Sequence, residues 1–141
     1  EVKGEVMRIE EMYFIEMEAK ANLELAEGVR LLKDFVKKYR YSSYDRNPQT
    51  WEDFKTEYML QKRIEFWGEG IMFFDYKRCP EYLTINRGYP GTNHPEMARF
   101  NVDGIAPWFN VPINGYEAQD NKALSETNNP DPSDSILPWV E

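Results

Sequence analysis

The chain has 141 residues, enough for one domain with a modest core. Seventeen basic against 25 acidic residues leave a net charge of −8, which argues against a nucleic-acid partner, because phosphate contacts need clustered Lys and Arg. A mean hydropathy of −0.73 without a long apolar run excludes a transmembrane helix, and the single cysteine, Cys79, excludes an internal disulfide or a cysteine-rich metal site.

Residues Glu5 to Leu25 read as a first helix. Ile9, Met12, Tyr13 and Glu16 share one face, and Phe14, Met17, Ala21 and Leu25 share another. Arg8 and Glu11 stand at pairing distance along a helix, and Glu11 and Glu18 share a stripe. Ala19 and Ala21 are small enough to let a second helix approach. Gly28 reads as the break, followed by a helix from Val29 to Tyr39. Its apolar stripe is Leu32, Phe35, Val36 and Tyr39, with Lys33, Lys37, Lys38 and Arg40 outside. The pair forms an αα-hairpin of about 34 residues, the period of a tetratricopeptide (TPR) unit. Tyr41 to Gln49 is a polar connector containing the turn signal Asn47-Pro48.

One long helix is expected from about Trp51 to Arg78, capped by Thr50 and stopped by Pro80. Leu60, Ile64, Trp67, Ile71 and Phe74 follow helical spacing, and Phe66 and Phe73 mark a neighbouring face, so this helix should be enclosed on more than one side. Gly68 and Gly70 weaken its middle by about 1 kcal/mol each. Glu65 and Glu69 would repel at a four-residue spacing, so each requires a cation. Asp75 lies among Phe73, Phe74 and Tyr76. These carboxylates could form a catalytic pair. The favoured alternative is an ion-pair network that locks helices together, because carboxylates among aromatic residues are normally held by Arg or Lys. No His, Ser or Cys stands where it would complete an acid–base constellation.

Composition changes at Cys79. Eight of the nine prolines lie at or beyond Pro80, and Gly88, Gly91, Gly104 and Gly115 punctuate the same region. The expectation is therefore mainly α: a helical scaffold over 1–79 with a loop-rich segment over 80–141 packed on it as a single domain. Trp108 to Ile113 reads as a short extended piece, Asn114 to Asn121 as one or two helical turns capped by Asn114, and the NNPDPSDS end as a loosely held tail. His94, the only histidine, lies in a loop with Asn93, Glu96 and Asp103 nearby, a weak metal-ligand set. No cofactor is expected.

Three segments in order carry a resemblance. Glu65-Phe66-x-x-Glu69-Gly70-x-x-x-x-Asp75-x-x-Arg78 resembles the "E-L-x-x-E-G-x-R-x-x-D-L-x-R" signature of SusD/RagB-like nutrient-binding lipoproteins. Arg8-x-x-Glu11-Met12-Tyr13-Phe14 with Glu18-Ala19 resembles that family's "R-x-x-E-x-Y-L-x-x-A-E-A" helix. Pro112-Ile113, Glu117, Asn121, Leu124 and Asn129-Pro130 resemble its near-terminal "P-I-P-x-x-E-x-x-x-N-x-x-L-x-Q-N-P". Gln61-Lys62 replaces the usual Glu-Arg, Ile71-Met72 replaces the motif's arginine region, and Asn114 replaces the second proline.

The resemblance implies a TPR-like hairpin under a long third helix, in the C-terminal part of a larger protein. It implies a non-catalytic role in capturing oligosaccharides or other nutrients and delivering them to a SusC-like TonB-dependent transporter. The parent would sit on the outer-membrane surface through a lipid anchor outside this fragment, with the fragment itself soluble. Arg8, Glu11, Glu18, Glu65, Glu69, Asp75 and Arg78 would be architectural ion-pair residues. For a sugar, Tyr89 with Arg87 and Asn93 is the best exposed-aromatic candidate, against the alternative that Tyr89 packs on the scaffold. Two other readings are a TPR-like protein-interaction module and a carbohydrate-active enzyme using Glu65 or Glu69.

Overall fold

The computed structural model describes residues 8–105, 109, 110, 113 and 115–124, and these divide between two compact units with the boundary between Met72 and Phe73. The protein is mainly helical, with a loop-rich C-terminal region. Three of the six residues of the extended piece expected at Trp108–Ile113 fall outside the described residues, as do Asn114 and the tail.

The first unit contains three fifteen-residue helices: α1 (Ile9–Leu23), α2 (Leu25–Tyr39) and α3 (Trp51–Glu65). The chain bends at Glu24, whose extended backbone ends α1 and begins α2. The break therefore lies four residues before Gly28, which sits inside α2. A Cβ on Gly28 would lie only 2.2 Å from that of Ala21, so glycine is there because α1 packs against bare backbone. The small residue expected to admit a neighbour, Ala21, does so. Helix α3 starts at Thr50, whose hydroxyl accepts from the Asp53 amide at 3.1 Å and donates to the Asp53 carboxylate at 2.8 Å.

The core of this unit is aromatic. Phe14 is fully buried, its ring edge-on to Phe35 on α2 (centroids 5.2 Å apart), Tyr58 on α3 (5.6 Å) and Phe66 just beyond α3 (5.7 Å). Such pairs contribute about 0.5–1.5 kcal/mol each beyond area burial. The buried Tyr58 hydroxyl is satisfied by donating to the Phe14 carbonyl at 3.1 Å.

The expected long helix is two helices. Helix α3 stops at Glu65, turns occupy the following residues, and α4 spans Met72–Arg78. Gly68 and Gly70 take φ of +80° and +79° with open space around both, so backbone conformation, not crowding, calls for glycine. The apolar stripe inferred from spacing is not the buried one. Leu60 and Ile64 are exposed and Trp67 is 84% exposed, whereas Phe54, Lys55, Tyr58, Met59, Gln61, Lys62 and Phe66 face inward. Leu60 and Ile64 lie within α3 but on its outer face, Trp67 lies beyond the helix end, and two lysines interrupt the true inner face.

In the second unit, α4 is followed by a single helical turn at Pro80–Tyr82 and by two short strands. Strand β1 (Thr84–Asn86) pairs antiparallel with β2 (Asn101–Asp103) in the register Thr84 with Asp103, Ile85 with Val102 and Asn86 with Asn101. The Asn101 side chain accepts from the Gly88 amide at 2.9 Å and ties down the start of the intervening loop. Helix α5 (Gly115–Asp120) lies within the helical turns expected from 114 to 121. Lys77 on α4 donates to Asn110 at 3.0 Å, and Phe73 packs on Phe109 with centroids 5.1 Å apart.

Candidate functional site

The most developed polar arrangement in the first unit is a charge clamp where the hairpin meets α3. Arg8 holds the N-cap position of α1 in extended conformation. Its guanidinium donates to the Glu65 carbonyl at 3.2 Å and also to the carboxylates of Glu65 and Glu69. Arg40, the C-cap of α2, donates to the Gln61 carbonyl at 3.0 Å, to the Gln61 side chain and to the other oxygen of Glu65. Glu65 thus joins the first residue of the hairpin to its last. It is 15% exposed.

Each guanidinium also stacks on a core ring. The Arg8 Cζ lies 5.3 Å from the Phe66 centroid, and that of Arg40 lies 5.4 Å from Phe35. The hydrogen bond to Glu69 is the first cause raising the pKa of Arg8, and burial opposes it. The clamp's cations therefore sit on the same rings that surround Phe14, coupling ion pairing to core packing.

A second tie lies deeper. Lys55 on α3 is 3% exposed and donates to Glu18 on α1 at 2.6 Å, its ammonium 5.2 Å from the Tyr58 centroid. Close by along α3, Glu57 accepts from the Tyr44 hydroxyl and from the Gln61 amide, each at 2.8 Å. No family model matches this chain, and neither curated proteins nor solved structures yield a match.

Of the residues singled out in the sequence, Arg8, Glu65 and Glu69 converge, and Glu18 is paired. Glu11 is not part of the clamp. Among the described residues it forms no ion pair, and Glu10 stands beside Arg8 at 3.3 Å instead. The i,i+3 rule assumes that both residues are helical, but Arg8 precedes the first turn. In the second unit, Arg78 donates to the buried Asp75 at 3.0 Å, one turn apart on α4. Tyr89 is 43% exposed, at the start of the turn closed by the Thr92 amide, while Arg87 stacks on Phe100 at 5.0 Å.

Spacing rules missed Arg40, Gln61 and Lys55. The spacing puts Arg40 outside the apolar stripe of the second helix, but it is partly buried and 25 residues from Glu65, beyond the reach of any local rule. Lys55 did leave a signal: with Trp51, Tyr58 and Lys62 it follows helical spacing, so a cation lies in an aromatic row and requires a buried anion.

Proposed function

We propose that the chain belongs to a cell-surface nutrient-binding protein of the SusD/RagB-like kind. In this reading the parent captures oligosaccharides or related nutrients and hands them to a SusC-like, TonB-dependent transporter without breaking bonds, held at the outer membrane by a lipid anchor. One observation supports it above others: Arg8, from the first matching segment, meets Glu65 and Glu69, from the central one, across separations of 57 and 61 residues. Three of the residues that carry the resemblance, Arg8, Glu65 and Glu69, are thus among those that hold the hairpin to α3.

The same geometry favours binding over catalysis. Both carboxylate oxygens of Glu65 are engaged by guanidiniums, whereas a general acid or base needs a carboxyl free to exchange a proton with substrate. Among the described residues no helix is long and apolar enough to cross a membrane. The exposed Leu60, Ile64 and Trp67 favour a second reading, a TPR-like protein-interaction module.

The test is to screen the full-length parent against a panel of oligosaccharides and to ask whether it copurifies with a TonB-dependent barrel. Saccharide binding together with barrel association is expected. Failure of both refutes the nutrient-capture reading, and peptide binding alone favours the interaction module.

A further inference from the structure

The open side of the hairpin holds a cavity of about 170 Å³ between α1 and α2. Its lining includes Tyr13, Phe35 and Tyr39, together with Glu16, Asp34 and Lys38. The rings form a continuous aromatic wall, with Tyr13 and Phe35 centroids 6.1 Å apart and those of Phe35 and Tyr39 5.0 Å apart. The protein's own ammonium already lies against this wall: Lys38 Nζ is 4.8 Å from the Tyr39 centroid. Asp34 is shared with Arg30 at 2.7 Å, whereas Glu16, among the described residues, forms no ion pair.

We propose that this cavity is a binding site for a small organic ammonium ligand, with Tyr13, Phe35 and Tyr39 as its aromatic wall, Glu16 as its counter-charge and the Lys38 ammonium as a built-in surrogate that a ligand displaces. Aromatic faces attract cations electrostatically, and quaternary ammonium groups are the ligands such walls recognise best, because they give up little hydration on entering. Lys38 is on a flexible stem at an exposed position, so it can swing away. Its pKa is raised, the hydrogen bond to Tyr39 being the first cause. The site lies on the hairpin and shares the Phe35 ring with Arg40 of the Glu65 clamp, but it does not rest on the nutrient-capture reading.

Choline and its neutral carbon isostere, dimethylbutanol, are the probes, titrated into the whole chain while the methyl resonances of Met17 and Leu31, which also line the cavity, are followed. Choline should bind with a dissociation constant of roughly a millimolar, and the isostere at least about tenfold more weakly. Lys38→Gln should tighten choline binding about two- to fivefold by removing the resident cation. Tyr39→Leu should weaken it by a similar factor, while Tyr39→Phe, which keeps the ring, should leave it unchanged. Equal binding of choline and the isostere, no binding of choline, or indifference to both Lys38→Gln and Tyr39→Leu in folded protein overturns the proposal.

Discussion

Replacing Glu65 by Gln should destabilise the protein by about 2–3 kcal/mol. The native carboxylate accepts from Arg8 on one oxygen and from Arg40 on the other. The amide keeps the shape but offers one acceptor, so its NH₂ must face one of the two guanidiniums. Hydrogen bonds to charged groups contribute about 1.5–3 kcal/mol each, neutral ones about 1 kcal/mol. One bond is lost and the other weakened, while two arginines lose their shared anion. The remaining exposure of Arg8, about a quarter of its side chain, lets water recover part of the loss. Urea unfolding followed by far-UV circular dichroism measures the change, with a lowered midpoint and an unaltered slope expected. A double-mutant cycle with Arg40→Gln should return a coupling of about 1–2 kcal/mol. A change in stability below about 0.5 kcal/mol would place Glu65 with ordinary surface pairs and refute the clamp.

Three other outcomes follow from the packing. Gly28→Ala should destabilise by about 1–3 kcal/mol despite alanine's better helix propensity, because the new methyl meets Ala21 at 2.2 Å; a gain in denaturation midpoint would contradict the close approach. Phe14→Ala should cost about 3–5 kcal/mol in the same assay, since three rings lose their common partner. Burial, and then the hydrogen bond given to Glu57, raise the Tyr44 pKa, so the folded chain keeps a proton that the unfolded chain releases near pH ~10. Stability should therefore be fully present below about pH 10 and decline as pH rises further, and Tyr44→Phe should flatten that decline; identical slopes for the two proteins would rule this out.

Local signals in the sequence located the helices well and their partners poorly. The Thr50 cap, the α2 stripe of Leu32, Phe35 and Val36, and the change of character near Cys79 all depend on neighbours within a few residues. The break between α1 and α2 was misplaced because glycine serves both as a helix terminator and as the only residue thin enough for contact with Ala21; only the packing distinguishes the two. Similarly, Gly68 and Gly70 looked like a weakness within one helix, whereas their positive φ values end it. The requirement that Glu65 and Glu69 find cations was legible from electrostatics alone. The identity of those cations was not, since Arg8 and Arg40 reach Glu65 from opposite ends of the hairpin.

The Arg8–Glu65 tie also bears on how fast the native state comes apart. Bonds between residues 57 positions apart close a long stretch of chain, an entropic cost recovered only after the hairpin and α3 have met. Interactions made that late are largely absent from the folding barrier, so they slow unfolding while leaving the folding rate nearly untouched. Two arginines gripping one carboxylate thus act as a latch on lifetime: stopped-flow unfolding of the Glu65→Gln protein should accelerate, and its refolding should keep pace with the parent.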